Sequence, residues 1–102
     1  MPPINVTVNW DNGTSKGTAP DIQVPSANGA TVITWTCGAN VASFAITGLD
    51  DEEFNPADSN GQVTRFSTTD SNNDSDTYNY TITATHQDGR VSSHDPKIEN
   101  GT

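Results

Sequence analysis

The sequence predicts an all-β fold, an antiparallel β-sandwich of about seven strands forming a single domain over residues 1–102. Three observations carry that expectation. Two long segments alternate apolar and polar residues with a period of two, Asn-Gly and Asp-Gly pairs fall between the apolar runs, and no segment of any length repeats at the helical period. At 102 residues the chain suits one hydrophobic core.

The first strand is read from Ile4 to Trp10, where Ile4, Val6, Val8 and Trp10 share one face and Asn5, Thr7 and Asn9 the other. Residues 77–86 repeat the device, with Tyr78, Tyr80, Ile82, Ala84 and His86 on one side. Between them, β-branched content marks 30–37 as a strand with Ile33, Trp35 and Cys37 on one face. A strand over 42–47 follows, with Ala42, Phe44 and Ile46 inward. Shorter strands are expected at 22–24, 63–66 and 90–93. Asn12-Gly13, Asn28-Gly29, Asn60-Gly61 and Asp88-Gly89 offer the positive φ that tight turns need, and Asp88-Gly89 is the strongest hairpin signal. Only 49–57 has room for a helical turn, which Pro56 would cut short. Residues 95–102 read as a C-terminal tail.

Four Lys/Arg stand against thirteen Asp/Glu, a formal net charge of −9. Such a chain repels phosphate backbones and anionic lipid, so neither nucleic acid nor a membrane surface is an expected partner. No stretch approaches the roughly 20 apolar residues that span a bilayer. The single Cys37 excludes an internal disulfide, and the absence of Cys/His clusters excludes the common structural zinc sites. The acidic run Asp50-Asp51-Glu52-Glu53 reads as a solvated loop.

The run from Asp74 through Tyr78, Tyr80, Ile82, Ala84 and His86 to Asp88-Gly89 resembles the F–G hairpin of bacterial immunoglobulin-like modules. The resemblance implies an immunoglobulin-like sandwich, with Tyr78 as the corner tyrosine capping the preceding loop and Trp35 as the central core tryptophan. The C-terminal His94-Asp95-Pro96, with Ile98 and Asn100, is similar to the tail motif of the uncharacterised DP-EP family. That likeness implies no activity.

Two constellations qualify as candidate metal sites. Asp70, Asn72, Asp74 and Asp76 place an oxygen ligand at every second residue, as a curled loop does for Ca²⁺, with an acid from Asp50–Glu53 as an assisting ligand. Neither the glycine nor the distal glutamate of an EF-hand loop is present. His86 and His94 flank the Asp88-Gly89 hairpin, and would form a transition-metal pair if they faced each other across it. Ser93, His94 and Asp95 hold the residue types of a nucleophilic triad, but consecutive strand residues point to opposite faces and do not converge. No catalytic residue and no cofactor other than calcium is therefore expected. The leading expectation is a non-catalytic binding or interaction module presenting the polar loops 49–60 and 68–76 to a protein or carbohydrate partner. The alternatives are a metal-binding domain and a structural spacer or assembly protomer.

Overall fold

Period-two alternation turns one side of each strand inward, and in the computed structural model, which describes residues 3–102, it organises eleven strands. These are β1 (Ile4–Asp11), β2 (Lys16–Thr18), β3 (Ile22–Val24), β4 (Thr31–Cys37), β5 (Val41–Thr47), β6 (Phe54–Asn55), β7 (Arg65–Asp70), β8 (Thr77–Asn79), β9 (Thr81–His86), β10 (Val91–His94) and β11 (Lys97–Asn100). A single 3-10 turn covers Ser26–Asn28.

One layer runs β2-β1-β4-β7-β6. The other consists of β10-β9-β5 and β3-β11-β8. These two groups share one hairpin. Val91 to His94 pair with Thr85 to Ile82, and Lys97 to Glu99 pair with Asn79 to Thr77, in an unbroken register. The ladder lapses only where Pro96, which has no N–H to donate, lies opposite Tyr80; the Tyr80 N–H still donates to the Pro96 carbonyl at 3.3 Å. Between the layers lie Val8, Ile33, Trp35, Phe44, Ile46, Ile82 and Ile98, all fully enclosed. The all-β sandwich expected from the sequence is the one observed.

The strand count exceeds seven because the long segment 77–86 divides at Tyr80 and because β2, β6 and β11 are too short, or too polar, to announce themselves. Two pairings are parallel, β1 with β4 and β3 with β11, where a wholly antiparallel arrangement was expected. A parallel pair needs a crossover of a dozen or more residues, and 12–30, which include β2 and β3, supply one between β1 and β4. Residues 95–102 contain β11, which lies between β3 and β8 with Ile98 buried.

Two local details depart from simple alternation. In β5 a bulge between Val41 and Ser43 leaves Ala42 exposed and turns Val41 inward together with Phe44 and Ile46. Of the four predicted turns, Gly29, Asn60, Gly61 and Gly89 have positive φ, whereas at Asn12-Gly13 the left-handed residue is Ser15. Gly17 in β2 faces Ala84 of β9, and a Cβ there would lie 2.5 Å from the Ala84 Cβ. Only glycine allows that approach.

The outer edge of β5 is closed by the chain that follows. Phe44 and Val63 exchange both backbone hydrogen bonds (2.9 and 2.7 Å). Ser59 donates its N–H to the Ile46 carbonyl at 2.9 Å, and the Ile46 N–H donates to Ser59 Oγ at 2.9 Å. Among the described residues, no helix is long and apolar enough to cross a membrane.

Candidate functional site

The alternation that buries Phe66 and Thr68 in β7 also carries Asp70 inward, opposite Thr31 of β4 and Phe54 of β6. Asp70 is 0% exposed. The same logic in β11 buries Asn100 two residues beyond Ile98. Glu53 is brought in by a turn in which the N–H groups of Glu53 and Phe54 both donate to the Asp50 carbonyl, while Phe54 packs edge-to-face on Tyr78. At this end of the sandwich three carboxylates therefore surround one amide.

The Asn100 Nδ2 lies 2.9 Å from Glu53 Oε2, 3.0 Å from Asp70 Oδ1 and 3.3 Å from Asp74 Oδ1. The Asn72 N–H also donates to Asp70 Oδ1, at 2.9 Å. The Asn73 amide satisfies its surroundings when its nitrogen faces Glu53, 3.0 Å from Oε1. The Tyr78 hydroxyl donates to Asp74 Oδ2. Asp70 Oδ2 and Asn100 Oδ1 are buried and have no hydrogen-bond partner among the described residues.

The electrostatics follow from this crowding. Burial raises the Asp70 carboxyl to about 6, against hydrogen bonds from Asn72 and Asn100 that lower it, and the charges of Glu53 and Asp74 add to the rise. The Tyr78 hydrogen bond holds Asp74 below the usual carboxylate range, and the same bond pushes the Tyr78 phenol up. Among the described residues, no Lys or Arg forms an ion pair with any of the three acids; the Arg ion pair is Arg90–Asp88, at the far hairpin.

Of the four residues proposed from the sequence as Ca²⁺ ligands, the structure brings together Asp70 and Asp74 only. The Asn72 side chain instead ties loops together: its Nδ2 donates to the carbonyls of Pro25 (2.9 Å) and Gly29 (3.0 Å), and its Oδ1 accepts from the Gly101 N–H (3.2 Å). The Asp76 side chain is exposed, and its backbone carbonyl accepts from the Asn100 N–H. Glu53 is the assisting acid from the 50–53 run. Asn100 was missed as a site residue, although the spacing from Ile98 signals that it shares the inward face of a strand. As they stand, no three His, Cys, Asp or Glu side chains among the described residues form a ready metal cage.

The two histidines are held apart. His94 pairs with Ile82, whereas the His86 N–H closes the hairpin on Arg90. The four-residue offset along the strand separates them by about 13 Å. His94 Nε2 meets the Ala19 carbonyl at 3.1 Å. The His86 ring packs edge-to-face on Trp10, and its Nδ1 accepts from the Asp88 N–H at 3.1 Å. Burial raises the Cys37 thiol, which suppresses the nucleophilic thiolate.

At the junction of β8 and β9, Gly48, Asn79, Tyr80, Thr81 and Asp95 line a broad, shallow depression of about 440 Å³, where Thr81 Oγ1 donates to Asp95 Oδ1 at 2.9 Å. No protein-family model matches the chain, and no curated protein matches it.

Proposed function

We propose that the chain is a non-catalytic binding module whose recognition surface is the loop end above the Glu53–Asp70–Asp74–Asn100 cluster. The observation that supports this reading is the mutual fastening of four sequence-distant segments. Residues 25–29 are held by Asn72, the 50–54 turn by Asn73, Ser71 and Asn100, the 71–76 loop by Asn100 and Tyr78, and Gly101 by Asn72. Loops fixed from within lose little entropy on binding, which is how a rigid β scaffold presents a preorganised contact surface.

The outward side of this end carries Asp50, Asp51, Glu52 and Asp76, all exposed. Its chemistry suits a protein surface bearing Lys or Arg, or a glycan that donates hydroxyls to carboxylates. The test is a protein pull-down with a parallel glycan array, using the wild-type chain and a D50N/D51N/E52Q variant. Capture by the wild type that the variant loses supports the reading. Capture that the variant keeps, or no capture on either platform, removes it.

A further inference from the structure

We propose that Glu53, Asp70, Asp74 and Asn100 form a binding site for a hard divalent cation, Ca²⁺ by preference, in which the Asn100 carboxamide turns over to present Oδ1. This goes beyond the recognition surface proposed above, and it is measured without any partner.

The argument begins with a mismatch in hydrogen bonding. A primary amide has two N–H groups, yet Asn100 Nδ2 stands within 2.9–3.3 Å of three carboxylate oxygens. Among the described residues, the amide's own oxygen, on a side chain only 2% exposed, has no partner, and neither has Asp70 Oδ2. Buried polar atoms without partners cost about 1–3 kcal/mol each, and buried carboxylates without a counter-charge cost more. Two such atoms on adjoining side chains, in a cluster without a cation, mark a place where the chain's own groups do not suffice.

A divalent ion meets each deficit. Hard cations such as Ca²⁺ take 6–8 oxygens, with carboxylates binding through one atom or two and amide carbonyls and water completing the shell. Here the protein offers three carboxylates and one amide oxygen, all of the hard type, and no sulfur or imidazole that would favour a softer metal. Asn100 Nδ2 marks the point on which the three acids converge. An ion entering there displaces the nitrogen, and a half-turn of the amide brings the orphaned Oδ1 to the metal. Two positive charges then offset the three acids. The exposed Asp76 takes no part, in contrast to the ligand set suggested by its spacing in the sequence.

The experiment is thermal unfolding of the full chain in millimolar Ca²⁺ and in EDTA. It is accompanied by luminescence of Tb³⁺, an ion of similar size and ligand preference, excited through Tyr78, whose hydroxyl is bonded to Asp74. The expected result is a rise in Tm of several degrees that grows with the logarithm of Ca²⁺ concentration, together with Tyr-sensitised Tb³⁺ emission that Ca²⁺ quenches by competition. The D50N/D51N/E52Q variant keeps both signals, and E53Q loses both. N100D, which supplies an anionic oxygen in place of the amide, is less stable than wild type in EDTA and gains more from Ca²⁺.

No Tm shift and no sensitised emission from the wild-type chain would overturn the site without reliance on any variant. A shift that E53Q keeps, or that D50N/D51N/E52Q loses, assigns the ion to the exposed acids and likewise overturns it. An N100D chain that Ca²⁺ fails to restore would overturn the proposed site, since residue 100 would then be a structural tie and not a ligand.

Discussion

Two residues in this domain are placed where a single atom decides the energetics. Trp35 is fully enclosed, and its Nε1–H donates to the Tyr80 hydroxyl at 3.1 Å, with the two rings edge-to-face. Tyr80→Phe keeps the ring but leaves the indole N–H unpaired, so a loss of about 1–3 kcal/mol is expected in urea unfolding, with the m-value unchanged. Asp70 makes the second case. Its folded-state value of about 6 lies above the ordinary 3.8, so the native chain binds this proton more tightly than the unfolded chain does. Asp70's contribution to stability is therefore most favourable below about pH 4, declines as pH rises towards 6, and is level above that. In EDTA, Tm should be higher near pH 5 than near pH 7, and Asp70→Asn should flatten that slope. Asp74 works in the opposite sense, its contribution being lost as pH falls through its lowered value, so it dominates only under more acidic conditions. A Tm in EDTA that rises between pH 5 and pH 7 would contradict the assignment of Asp70 as a buried, uncompensated acid.

At the scale of the element, the chain's last strand carries more than its composition suggests. Lys97–Asn100 has one large apolar residue, Ile98, but that residue is fully buried and pairs across to Ile22 on one side and Tyr78 on the other. Ile98→Ala should cost about 2–5 kcal/mol, a Tm drop large for a domain of this size, and should open both neighbouring pairings in hydrogen exchange. Short strands of this kind were the illegible part of the sequence. Four residues with one hydrophobic side chain give no periodicity to read, so 95–102 looked like a tail. By contrast β1 and β9 were plain from alternation, because their apolar faces repeat over several rungs, and β4 was plain from its β-branched residues. The β5 bulge hid for a different reason: a one-residue insertion moves every later side chain to the other face, and Ala42 carries no signal that it is the extra residue. The acidic end was half legible. Spacing found Asp70 and Asp74, but the pairing that brings Glu53 and Asn100 to them joins residues 47 apart in the chain and is set by sheet order alone.

For the molecule as a whole, a net charge of −9 spread over a small sandwich works against compactness. Adding a non-coordinating salt should raise Tm as self-repulsion is screened, and the gain should be largest between low and moderate ionic strength, where the screening length falls from about 30 Å to about 10 Å. A Tm that does not respond to such salt would show the acids to be locally compensated. The edges of the sheets carry a different protection. β2, β3, β6 and β8 are edge strands of two or three residues, too short for another chain to extend. The long edge is β5, and the 59–63 segment occupies it, taking both bonds of Phe44 and both of Ile46. That segment acts as a built-in guard against strand addition by a neighbouring copy. Shortening it would draw Val63 off the rim of the core and uncover the seven-residue β5 backbone as a template, so the expected outcome is edge-to-edge association of copies, read as a mass that grows with concentration in light scattering.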